Sequence, residues 1–300
     1  LSGNKSYGNL STKIQSSKVG TIEAIADYSR PLRAKGISAT HLTGTIAAQN
    51  FSGAELMSGL NNALIGLTDF NGQLEFDITT KSKKIPEGTA QIGVESATFR
   101  GLTVSNLSAD ASNTNGLIEA SAFVENSQLF ADIQATAEIE STEKKLDFKA
   151  EIENLDINRV KQPTINTPQT ISLKAGGSLA GTNIDDISGH IDIESLLMQQ
   201  PGRPDLSLRN ISVASTRHAD ADTITLQSEI ADATIAGRYH LSTIVPVAKT
   251  IIARTIPVLT GEMATQTFES NEATDLAFHV HISTVTVNDI GPLSPLAKLP

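Results

Sequence analysis

The chain has 300 residues, a formal net charge of −10 and no cysteine. The acidic balance argues against nucleic acid, because no basic patch is present to displace counterions. The missing thiols exclude thiol catalysis, thiolate metal sites and disulfides together. Aromatic residues are only 4% and Trp is absent, so the interior must be built from small and aliphatic side chains.

In chain order, residues 13–29 and 42–51 alternate apolar with polar, the mark of half-buried strands. Residues 53–67 break the rhythm: Leu56, Leu60, Leu64 and Leu67 recur at helical spacing and predict a short amphipathic helix. Alternation then resumes. Ile92, Val94 and Ser96 share a face, as do Ile118, Ala120, Ala122 and Val124. Leu129, Ala131, Ile133, Ala135 and Ala137 form another run, and Leu146, Phe148, Ala150 and Ile152 the next. Polar turn segments at 112–116, 125–126, 140–145 and 231–232 predict hairpins. Residues 160–177, rich in Pro, Thr, Asn and Gly, read as a joint.

Beyond that joint the chain repeats itself. Glu95-Ser96 returns as Glu194-Ser195, and Asn106-Leu107-Ser108 as Asn210-Ile211-Ser212. Residues 117–133 map without a gap onto 223–239, and 146–160 onto 276–290. Ile191 with Ile193 and Ser195, Ile224 with Leu226, Ile235 with Tyr239, and Phe278 with Val280 carry the apolar faces of the second copy. A third, weaker copy starts at residues 13–29, with Ile22 in the place of Ala131. Duplicated β units build extended surfaces more often than catalytic pockets. Pro246 opens a second amphipathic stretch at 246–259, with Val247, Ile251, Ile252 and Ile256 on one stripe and Lys249 and Arg254 at its polar edge. It reads either as a cover for the sheet or as a gate across it.

The expected fold is therefore mainly β: a long antiparallel meander of roughly 13 to 15 strands, with two short amphipathic helices. The expected organisation is a partial unit at 1–88, a unit at 89–165, a linker plus strand at 166–188, and a unit at 189–300. At about 4.8 Å per strand such a sheet is on the order of 65 Å wide, and a helix of about 20 Å cannot roof it. A sandwich, a barrel or an open trough would solve the problem.

These segments resemble the repeated body of TamB-like proteins of Bacteroidota, within the AsmA-like repeating β-groove group. The resemblance is carried by "TDFNGQLEF", "AQIGVESATFRGLTVSNLSA", "LDFKAEIENLDINRV", "GGSLAGTNIDDISGHIDIESLLM" and "TLQSEIADATIAGRYHLSTI". It implies an elongated open groove (a β-taco) in the periplasm, anchored to the inner membrane through a segment outside this sequence. It implies movement of phospholipid between the membranes and a part in outer-membrane protein assembly with a barrel partner, met through other parts of the protein. It brings no catalytic residue and no cofactor, and no enzyme is expected. On this reading acyl chains contact Ile118, Val124, Leu129, Ile133, Phe148, Ile152, Ile224, Leu226, Ile235, Tyr239, Phe278 and Val280. The alternatives are a scaffold whose edge strands template a client, and an adhesin-like domain with a dry core.

Two further groups are candidates by residue type. Placing Val245 opposite Leu276, the register suggested by the first copy, sets His240 against His281 with His279 on the same face, a possible metal cluster. The pairs Asp185-Asp186, Glu138/Glu140 and Glu151/Glu153 have the residue types of acid/base chemistry. They fall at turns or on outward faces, where solvated carboxylates are ordinary.

Overall fold

A computed structural model describes residues 7–30, 39–53, 67–81, 85–99, 102–158, 168–217, 222–229, 231–237 and 276–282. The fold is mainly β. Among the described residues fifteen strands follow in chain order: β1 (Tyr7–Ser16), β2 (Gly20–Ser29), β3 (Ala39–Phe51), β4 (Leu67–Lys81), β5 (Glu87–Phe99), β6 (Leu102–Thr114), β7 (Leu117–Glu125), β8 (Phe130–Glu138), β9 (Lys144–Asp156), β10 (Thr170–Gly181), β11 (Ser188–Gln199), β12 (Leu206–Thr216), β13 (Asp222–Gln227), β14 (Ala231–Gly237) and β15 (Leu276–Ile282). The two amphipathic helices are not found among the described residues. Both segments lie outside them, save Gly53 and Leu67, and Leu67 opens β4. The complete helical element that is described is a 3-10 turn, Ile184–Asp186.

The chain divides into two compact units. Leu1–Ser141 with Ile152–Asn166 form the first, and Thr142–Glu151 with Thr167–Pro300 the second. In the first, β1 to β8 pair antiparallel, each with the next. In the second, β10 to β15 do the same. The ladders are open meanders, and neither closes into a barrel among the described residues.

The hairpins form where the sequence supplies turn chemistry. Asn115 and Gly116 both take positive φ (52° and 83°), as a two-residue hairpin between β6 and β7 requires. The Asn113 side chain accepts from the Gly116 amide at 3.1 Å and donates to the Pro86 carbonyl at 2.7 Å. Between β7 and β8, Asn126 Oδ1 accepts from the amides of Gln128 (2.8 Å) and Leu129 (2.9 Å). At the start of β5 and of β11, Gly88 and Gly189 adopt φ of 133° and 134°, and a Cβ at either would collide with the carbonyl of Asp77 or Ser178.

Both copies carry the same irregularity. The β4–β5 ladder shifts register at Gly72, leaving Glu95 bulged, and the β10–β11 ladder shifts between Lys174 and Ala175, leaving Glu194 bulged. Opposite these lie Asn106 and Asn210, both left-handed. The apolar phase of the sequence changes at the same places. In β5 it runs Ala90, Ile92, Val94, then Ala97 and Phe99. In β11 it runs Ile191, Ile193, then Leu196 and Met198. One inserted residue flips the side-chain parity, so the phase change keeps all of these on one face and turns Ser96 and Ser195, expected on that face, to the other.

Packing is concentrated next to these bulges and beyond them. In the first unit the buried apolar side chains are Phe51, Val94, Ala97, Leu102, Val124 and Leu129, and in the second Leu206 and Leu208. In the first unit they cluster at the rim holding the β3–β4, β5–β6 and β7–β8 connections, where Phe51 and Phe70 meet edge to face at 6.5 Å.

Candidate functional site

Register alone assembles a surface that no single strand shows. In the first unit Leu10, Ala26, Gly44, Phe76, Ala90, Ala111, Ala120 and Ala135 stand side by side across β1 to β8. The next row is Thr12, Ala24, Ile46, Leu74, Ile92, Ala109, Ala122 and Ile133. A further row flanks each side: one runs from Gly8 and Tyr28 to Ile118 and Ala137, the other from Ile14 and Ile22 to Val124 and Ala131. No charged residue stands on this face, and Thr12 and Asn113 are its polar members. The opposite face carries Lys13, Glu23, Asp27, His41, Glu75, Asp77, Gln91, Asp110, Glu119 and Asp132.

The apolar face is not packed away. Exposure is 38% at Ile46, 40% at Ile92 and 37% at Ile133. Between Ile92 and Ile133 the floor is alanine: Ala109, Ala111, Ala120 and Ala122. Alanine covers the backbone thinly and leaves the space above it to another occupant.

The second unit repeats the arrangement. Ile224, Ile235 and Phe278 form one cross-strand row, and Leu226, Ala233 and Val280 the next. Gly177 and Ile191 carry the second row onward through Val213. Phe148 lies against Gly177, whose missing side chain makes room for its ring.

Most of the expected contact residues therefore lie on the apolar faces. Ile118, Val124 and Ile133 do so in the first unit, with Val124 already buried. Ile224, Leu226 and Ile235 do so in the second, where Phe278 is in register with Ile235 and Val280 with Ala233. Ile152 lies on β9 and is half-buried. Leu129 is different: it is buried in the β7–β8 turn. Tyr239 lies outside the described residues. Sequence reasoning missed the contribution of β1 to β4, namely Leu10, Ile46, Leu74 and Phe76, although their alternation was the signal.

The histidine arrangement needs correction. Leu276 pairs with Gly237, not Val245, so His281 stands opposite Asp232 and His279 opposite Thr234. His240 lies outside the described residues. Among the described residues no group of three or more His, Asp or Glu could hold a metal ion. Ala231 and Asp232, expected in a turn, begin β14, and the chain reverses between Gln227 and Ala231. The gapless mapping of the copies breaks here as well: Ile118 pairs with Ala137, whereas its counterpart Ile224 pairs with Ile235.

The acidic pair at 185–186 has a structural role. Asp186 accepts from the amides of Thr182 and Asn183, both at 2.8 Å, and from the Thr182 hydroxyl. The Thr182 hydroxyl, followed by the Asn183 amide, holds its pKa below the ordinary carboxylate value. Asn183 Oδ1 in turn accepts from the Asp185 amide at 2.8 Å, closing a capping box between β10 and β11.

No helix among the described residues is long and apolar enough to cross a membrane. Comparison with protein-family models, with curated proteins and with solved structures returns no match.

Proposed function

We propose that the apolar faces of the two β units shield acyl chains from water. One observation carries this reading. The face across β1 to β8 is continuous and uncharged, yet its central isoleucines remain more than a third exposed. A dry core would bury them. An acyl chain laid on the alanine floor between Ile92 and Ile133 gains about 0.8 kcal/mol per methylene removed from water, with no chemistry required. Head groups stay at the polar rim and in solvent.

On this reading the chain is a stretch of an envelope-spanning β-groove protein of the TamB-like kind. It works in the periplasm, conducts phospholipid between inner and outer membranes, and supports outer-membrane protein assembly through other parts of the protein. Native mass spectrometry of the purified chain tests the shielding role directly. Phospholipid adducts are expected on the wild type and lost in Ile133→Asp. A lipid-free wild type, or equal lipid on both proteins, refutes the proposal.

A further inference from the structure

The polar face of the first unit is hollowed. One depression, of about 690 Å³, lies over β3 to β6, with Gln73, Glu75, Glu95 and Ser108 along its walls and Gly93 in its floor. A second, of about 370 Å³, lies over β5 to β8, with Glu119, Ser121 and Gln134 along it. The two share Gln91 and Asp110, so they join into one trough running across the strands. Gly93 gives the trough its depth. Its backbone is not left-handed, and a Cβ added there would meet no atom within 4 Å. Neither conformation nor packing therefore requires glycine at this position, and glycine inside a strand costs stability. What the missing side chain leaves is free space above the sheet.

The lining selects a class of ligand. Neither depression is lined by Lys, Arg or His, which disfavours phosphates and other anions. Gln91, Ser108 and Asp110 are exposed, and Gln73 donates to Glu75 at 2.6 Å. Amides and hydroxyls both donate and accept, and carboxylates accept, a set that matches a ligand rich in hydroxyls. The same face also carries an aromatic pair. Phe123 stands in register with Ser108, and Ser108 with Gly93, so its ring lies two strands from the hollow, about 10 Å. Phe123 is 40% exposed, and Phe130 holds it edge to face at 5.9 Å. A sugar ring presents C–H bonds on its flat side and hydroxyls around its edge, and so needs an aromatic platform beside amides and carboxylates. We propose that this trough binds a neutral oligosaccharide, one ring stacked on Phe123 and the following rings hydrogen-bonded past Ser108, Asp110 and Gln91 to the hollow over Gly93. The site lies on the face opposite the alanine floor and is independent of what that floor shields.

Calorimetric titration of the chain with cellohexaose, maltohexaose and chitohexaose tests the proposal, with hexalysine as the cationic competitor for the same carboxylates. At least one of the three oligosaccharides should bind with a Kd of about 1 mM or tighter, and more tightly than hexalysine. Gly93→Val fills the free space with a side chain that suits a strand. Gly93→Val and Phe123→Ala should each weaken oligosaccharide binding by at least about tenfold, with β content by circular dichroism unchanged. Ala122→Asp, on the opposite face, should bind the oligosaccharide as the wild type does. A wild type that binds none of the three sugars overturns the proposal. So does tighter binding of hexalysine, or undiminished sugar binding in either Gly93→Val or Phe123→Ala.

Discussion

Asn106 and Asn210 share one backbone conformation, φ 55° and 52°, each on the strand facing a bulged glutamate, Glu95 in one copy and Glu194 in the other. The duplication is thus visible as a defect placed twice. Each defect flips side-chain parity where the apolar phase of the sequence also flips, and the rim beyond each defect is packed. Asn71 makes a related tie in the first unit. It accepts from the Asn50 amide at 2.9 Å and donates to the Asp69 carbonyl and the Ser96 hydroxyl, both at 3.0 Å, so one side chain links β3, β4 and β5.

Replacing Asn106 tests the role of its left-handed backbone. Asn106→Ala should destabilise by about 1 kcal/mol, because a Cβ-bearing residue without a local polar side chain resists that region. Asn106→Gly should be close to neutral. Urea unfolding of the three proteins measures the order, and a glycine variant less stable than the alanine one contradicts the account.

Adjacent residues on opposite faces separate shielding from stability. Ala122→Asp puts a charge on the alanine floor and should abolish lipid retention. Ser121→Asp puts the same charge on the polar face and should leave retention unchanged. Quantifying phospholipid extracted from equal amounts of each protein compares them.

The packed rim and the open floor should respond differently to truncation. Val124 is buried, so Val124→Ala should cost about 1–3 kcal/mol. Ile133 is more than a third exposed, and Ile133→Ala should cost clearly less despite losing more atoms. Denaturant midpoints of the two variants decide the order.

The Asp186 turn sets a pH dependence with a definite sign. Its folded pKa lies below the unfolded one, so its contribution is present above the unfolded carboxylate value and is lost as pH falls through the folded value. Protection of the Thr182 and Asn183 amides, taken relative to their intrinsic exchange rates, should fall below about pH 4, and Asp186→Asn should remove most of that change. Lys174 has the opposite sense. The hydrogen bond and charge of Glu194, 3.1 Å away, raise its pKa, so the contribution of the pair is present at neutral pH and fades only as pH rises through that raised value.

Alternation by itself determined that the chain is β and, between the bulges, which residues share an apolar face; it misplaced Ser96 and Ser195, which follow a bulged residue. Ile118 to Val124 and Ile224 to Leu226 stand where their two-residue period put them. Tertiary structure alone decided the register. The expected pairing of Leu276 with Val245 and the observed pairing with Gly237 differ by eight residues, an even number. An even slip leaves every apolar residue on the same face, so the pattern is blind to it, and strand pairing and turn position must choose. Burial was equally invisible. Val124 and Ile133 have the same character in the sequence, but one packs at the rim beside the bulged strands while the other lies on the open floor. Side-chain type sets the preference for leaving water, and only the neighbours brought by the fold decide whether it is satisfied.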